Sequence, residues 1–158
     1  INSGNENMLT LLFDMNKLWE EYIFRILHKH KPTNYNVSFQ NSDIFWENKK
    51  IRPDIVISSE TAVFVIDTKW KIINNISQPD DADLKQMFVY NLHWESSKSM
   101  LLYPQTNQRD TQFGNYKYKH SNQSLNQCKL GFVSVLKNGR IKESRLLSEE
   151  IFEKLQVY

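Results

Sequence analysis

RPDIVISSETAVFVIDTKWK, residues 52–71, holds two apolar segments joined by the polar turn Ser59-Glu60, with an aspartate in each and lysines at its close. Ile51 to Ser58 and Ala62 to Lys71 are expected to be neighbouring strands of one hairpin. Side chains two apart on a strand share a face, so Asp67 and Lys69 project with Val63 and Val65, while Phe64, Ile66, Thr68 and Trp70 face the other way. Asp54 stands behind Pro53 at the entry of the first strand, and a tight turn brings it beside Asp67. Two close carboxylates repel, and ionising both is costly unless a cation sits between them. Oxygen donors, with the Thr68 carbonyl as a further one, suit Mg²⁺ and also Mn²⁺. Lys69 is placed to hold or deprotonate a water and to offset charge growing on a phosphate, so phosphodiester hydrolysis is the reaction these groups serve best. The same pattern also fits a solvated strand face with a surface ion pair worth under about 1 kcal/mol. Two aspartates on adjacent strands, separated by twelve residues in the chain, favour the metal reading.

Outward from this hairpin the chain reads as a single α/β domain over residues 1–158, in the order α-β-β-β-α-β. Apolar residues Met15, Leu18, Trp19, Tyr22, Ile23, Ile26 and Leu27 recur at helical spacing between Leu11 and His30, and Pro32 ends that helix. Asn36 to Gln40 is a short strand. The acidic run Pro79 to Asp83 opens a second helix, since carboxylates favour the positive end of the helix dipole. On that helix Asp83, Gln86 and Tyr90 form one stripe, and Leu84, Phe88 and Leu92 another that is expected to meet the core. Lys98 to Tyr103 is a strand stopped by Pro104. Gln105 to Cys128 is rich in Asn and Gln and reads as a surface excursion, with an edge hairpin around Phe113 to Tyr118. Leu130 to Leu136 forms another strand, Asn138-Gly139 a turn, and Ser148 to Gln156 a closing helix.

Composition excludes more than it assigns. The chain has 158 residues, 40% hydrophobic and 24% charged, the make-up of a folded globular domain rather than a disordered or collagen-like one. A net charge of +2 is too mild to decide for or against nucleic acid. No apolar run is long enough to span a bilayer and no secretion signal is visible, so a cytoplasmic protein with no membrane partner is expected. Cys128 is the only cysteine, which excludes a disulfide framework and a cysteine zinc site. The four glycines form no phosphate-binding loop, so no nucleotide is expected on this chain. The start at Ile1 reads as the C-terminal part of something longer.

Pro53-Asp54 followed by Asp67-Thr68-Lys69 resembles the PD-(D/E)xK nuclease signature. FDMNKLWEEYI at 13–23, RPDIVI at 52–57, VIDTKWK at 65–71, the helix with Asp83, Gln86 and Tyr90, and LLYP at 101–104 are together similar to the McrC nuclease domains, the cleavage subunits of McrBC modification-dependent restriction systems. The likeness covers most of the chain up to Pro104. It implies a restriction-endonuclease-like core, a central mixed sheet flanked by helices, and a Mg²⁺-dependent DNA endonuclease. It also implies Asp54, Asp67 and Glu20 as metal ligands, Lys69 as the catalytic lysine, and Gln86 and Tyr90 as a Gln-x-x-x-Tyr element lining the cleft.

The residues themselves leave some of these roles open. Glu20 shares a helix flank with Phe13, Asn16 and Leu27, whereas Glu21 keeps company with Lys17, Arg25 and His28; Glu20 is the better candidate, and a solvated carboxylate is the alternative. Asp83 alternatively caps its helix, with Gln86 exposed and Tyr90 half-buried. Arg52 and Lys71 are candidate contacts to the DNA backbone, and Tyr116-Lys117-Tyr118-Lys119 reads as a wet edge strand or a strand-contacting edge. The resemblance further implies double-stranded DNA as substrate, transient pairing of two copies for double-strand cleavage, and an AAA+ GTPase partner of the McrB type, docking through a region expected before Ile1. A catalytically silent nucleic-acid-binding domain, or a PD-(D/E)xK nuclease of another restriction or repair pathway, stands as the alternative function.

Overall fold

The computed structural model describes residues 14–73, 79–104, 109–119 and 126–157. In chain order the elements are α1 (Met15–His30), β1 (Asn36–Phe39), β2 (Asp43–Trp46), β3 (Lys49–Ile51), β4 (Ile55–Ser58), β5 (Val63–Thr68), α2 (Asp81–His93), β6 (Lys98–Pro104), β7 (Gly114–Asn115), β8 (Gln127–Val133), β9 (Leu136–Lys137), β10 (Arg140–Ile141) and α3 (Ser144–Leu155). Six strands form a mixed sheet ordered β1-β4-β5-β6-β8-β7. β4 lies antiparallel to β1 and β5, β6 runs parallel to β5 and β8, and β7 closes the edge antiparallel to β8. The succession α1-β1-β4-β5-α2-β6 is the expected α-β-β-β-α-β order, with the β2–β3 hairpin inserted.

Alternation along β5 divides the core in two. Phe64 and Ile66 join Ile55, Ile57, Met100 and Leu102 under α1 and α3, which contribute Trp19, Ile23, Leu27, Leu147, Ile151 and Leu155. Val65 points to the opposite face, into a smaller cluster with Met87 and Tyr90 of α2 and with Leu101, Tyr103, Leu130 and Phe132. Asp67 and Lys69 continue the Val65 row and so emerge on the α2 side, as their spacing predicts. Gly131 leaves room for the Met100 side chain on the neighbouring strand: a Cβ there would come 2.3 Å from Met100 Sδ.

Several boundaries differ from expectation. The first strand of the hairpin does not run from Ile51 to Ser58, because Pro53 breaks it; Ile51 ends β3 and β4 begins at Ile55. β8 begins at Gln127, inside the stretch read as a surface excursion, and it ends at Val133 rather than Leu136. The closing helix starts one turn early, at Ser144, and Ser148 lies fully buried within it. α2 buries Met87, Tyr90 and Asn91; of the expected Leu84, Phe88 and Leu92 stripe, Leu84 packs against the core, Phe88 is half-buried on Tyr116 and Tyr118, and Leu92 is 49% exposed. The sheet lies beside the polar stripe, so the phenol of Tyr90 enters the core with its ring. Among the described residues no helix is long and apolar enough to cross a membrane.

Candidate active site

The β4–β5 register pairs Ile55 with Ile66, so the chain one step earlier sets Asp54 across from Asp67. Asp54 Oδ2 accepts from Thr68 N at 2.7 Å and from Thr68 Oγ1 at 2.9 Å. Its backbone carbonyl accepts from Gln40 N at 2.8 Å, tying the segment to the end of β1. Asp67 is 3% exposed, and Lys69 Nζ lies 2.6 Å from its Oδ2. That contact pairs the ammonium with a buried carboxylate oxygen. Lys69 N donates to Leu102 O at 2.9 Å, which continues the parallel ladder one residue past β5 and fixes where the lysine leaves the sheet.

From Lys69 a polar chain crosses to α2. Its ammonium lies 3.1 Å from Asp83 Oδ1 and donates to Gln86 Oε1 at 3.2 Å. Gln86 Nε2 donates to Tyr90 Oη at 2.9 Å, and Tyr90 Oη donates to the Arg52 carbonyl at 3.0 Å. The chain thus returns to the residue before Pro53-Asp54 and closes a ring around the carboxylates. Glu20, from α1, accepts from Gln40 Nε2 at 2.6 Å.

The electrostatics follow from burial and crowding. Asp54 is pushed up to about 7, first by burial and then by the neighbouring Asp67 charge, with Glu20 adding to it; the two Thr68 donors only partly oppose this. Burial likewise raises Asp67, against the pull of Lys69. For Lys69 burial disfavours the charge, but Asp67 and Asp83 outweigh it and hold the ammonium above its ordinary value. In this geometry Lys69 keeps its proton, which suits charge stabilisation better than proton abstraction. Burial and the charge of Asp67 push Tyr90 up to about 12, so its phenol remains a donor.

Of the predicted site residues, Asp54, Asp67, Lys69 and Gln86 are brought together, with Glu20 close enough to raise both aspartates. Tyr90 is buried and lines the inner wall rather than the surface. Arg52 enters the network through its carbonyl, and its side chain is exposed. Lys71 is held by Asp83 Oδ2 at 2.6 Å. Asp83 therefore grips both lysines, a role that spacing did not assign to it. The cap of α2 is Asp80, whose side chain accepts from Ala82 N. The signal for Asp83 was its shared stripe with Gln86 and Tyr90. The basic end of α1 is structural: His28 meets the Val37 carbonyl and His30 the Ser144 hydroxyl.

Among the described residues no group of three or more His, Cys, Asp or Glu side chains is placed to hold a metal ion. The chemistry of the donors nevertheless fits a hard divalent cation. Asp54 and Asp67 are oxygen donors whose ionised forms are disfavoured by burial and by the acids crowded around them, a penalty that a bound cation would relieve.

Among solved structures, the chain resembles one in the refined half-complex from the tetradecameric assembly of Thermococcus gammatolerans McrB AAA+ hexamers with bound McrC. The TM-score is 0.69 at 20% identity, over 91% of this chain and 34% of that one. The likeness is one of fold, and this chain spans about a third of the length of the one it matches. No curated protein sequence matches. The model of the family described as McrBC 5-methylcytosine restriction system component matches residues 1–104, a span that runs through β6 and contains every residue of the site above. The chain belongs to that McrBC family.

Proposed function

We propose that this chain is a PD-(D/E)xK nuclease domain of the McrC type, a divalent-metal-dependent DNA endonuclease. The observation that carries the reading is the meeting of Asp54 and Asp67 at the end of the β4–β5 hairpin, with the Lys69 ammonium 2.6 Å from Asp67. Asp54 and Asp67, with Glu20 behind them, would hold Mg²⁺ or Mn²⁺, which when bound neutralises phosphate charge and makes a water more acidic. Lys69 presents a fixed positive charge to the pentavalent phosphate oxygens. Gln86, braced by Tyr90, keeps that ammonium aimed across the sheet end, and Asp83 limits its swing. Arg52 and Lys71 border the cleft where a phosphodiester backbone would run.

The substrate is double-stranded DNA, and two copies acting on opposite strands would give a double-strand break. The neighbouring structure's description places McrC on McrB AAA+ hexamers. By extension this chain would act with an McrB-like GTPase that supplies nucleotide hydrolysis and reads the modified cytosine. Plasmid DNA incubated with the chain and Mg²⁺, Mn²⁺ or EDTA tests the reading. Metal-dependent nicking that disappears in Lys69→Ala and Asp67→Ala is the expected result. DNA binding without nicking, under every metal condition, would leave a silent binding domain in its place.

A further inference from the structure

The β2–β3 hairpin stands apart from the sheet and carries no share of either core beyond Ile51. Every residue from 41 to 50 is exposed, including Ile44, Phe45 and Trp46 at 53%, 50% and 59%. A two-stranded ribbon is marginal in water, and adjacent exposed apolar side chains mark a contact surface. Among the described residues the ribbon is pinned at its base. Asp43 Oδ2 meets His93 Nε2 at 2.9 Å, and the Arg52 carbonyl accepts from Tyr90 Oη.

Its register interleaves apolar and basic groups. Ile44 pairs with Lys50, Trp46 with Lys49, and Phe45 sits at the irregularity between those pairs. Ile44 and Trp46 thus each have a lysine across the ladder. With Asp43 paired to His93, Glu47 is the remaining acid on a ribbon that carries Lys49, Lys50 and Arg52. An isologous contact between two copies through this ribbon would set like cations against one another. A polyanion with apolar groove walls complements it better, because the lysines can meet phosphates while the rings lie on sugars and base edges.

We infer that the β2–β3 hairpin is a DNA-gripping arm, laid into a groove of the duplex and delivering the strand to Asp54, which lies two residues past Arg52. The inference rests on the nuclease reading for its substrate. Its test separates the two: the affinity of the chain for a labelled duplex of about 25 base pairs is measured by fluorescence anisotropy in EDTA over a series of salt concentrations. Lys49→Ala/Lys50→Ala is expected to weaken binding on the order of tenfold and to lower the salt slope by about two. Lys49→Arg/Lys50→Arg should retain both. Phe45→Ala/Trp46→Ala should weaken binding several-fold at an unchanged slope. Unchanged melting of the variants would show that the fold is intact. Wild-type affinity in both alanine pairs overturns the inference, as does a change in sedimentation with no change in DNA affinity, which would make the ribbon a contact between copies. A hairpin-dependent binder that never nicks DNA with Mg²⁺ keeps the arm and rejects the nuclease.

Discussion

Two separate ionic clusters differ in their balance. Around the end of β5, Glu20, Asp54, Asp67 and Asp83 face Lys69 and Lys71. Beyond β8, Asp110 and Glu150 face Lys129, Lys142 and Lys154. In the second cluster Asp110 Oδ1 accepts from Phe132 N at 2.9 Å, and its Oδ2 accepts from Lys154 Nζ at 2.8 Å with Lys129 Nζ at 3.5 Å. That carboxylate is fully answered and staples the 109–113 segment to β8 and α3. In the first, acids outnumber cations and Asp54 is driven up to about 7 by burial and by Asp67. A compensated cluster fastens, whereas an uncompensated one has affinity left for something else.

The comparison breaks most readily at Asp67. Asp67→Asn should lower DNA cleavage by about a hundredfold or more, as loss of a charged group at the reacting phosphate does, while urea denaturation shows stability equal to or above wild type. Equal cleavage would mean that the acidic cluster is also merely structural. Asp110→Ala should do the reverse, leaving the rate intact and costing about 1–3 kcal/mol in urea, because two lysines lose their common partner near a partly buried strand edge. An activity loss with unchanged stability would undo the distinction.

A pH series sharpens it. The folded Asp54 binds its proton up to about 7, above the ordinary 3.8, so between those values the native state holds more protons than the unfolded chain. Stability without added metal should therefore fall as pH rises from about 4 to about 7 and then level off. Asp54→Asn should flatten that slope in thermal melts at matched salt. The smallest effect belongs to Tyr90→Phe. It removes the bridge from Gln86 to the Arg52 carbonyl, and is expected to cost about 1 kcal/mol and to slow cleavage only a few-fold.

Much of this arrangement could be read from residue order. The alternation of VFVIDT put Asp67 and Lys69 on one face and Ile66 on the other, and a short turn left little freedom in where Asp54 could lie. The β2–β3 hairpin escaped because both of its faces are exposed: DIFWENKKI has neither strict alternation nor a buried run, and the register shifts at Phe45. The start of α3 escaped because Glu143 makes no side-chain cap, so Ser148 looked like the start signal. Asp83 escaped for another reason. Its partners arrive from a different element, and which of its helix neighbours would face the sheet depends on packing that residue spacing does not encode. The pairing of Asp54 with Asp67 needed only local geometry, whereas the grip of Asp83 on two lysines needed the whole fold.

One carbonyl oxygen links two parts of the centre. Leu102 O accepts both Lys69 N at 2.9 Å and the indole Nε1 of Trp19 at 3.4 Å, and Glu20 is the residue after Trp19. The helix bearing the outer carboxylate and the strand bearing the amine are thus pegged to a single atom of the middle strand. A displacement of α1 would strain that peg before it could separate the two groups, so the carboxylate of Glu20 and the amine of Lys69 are expected to shift together.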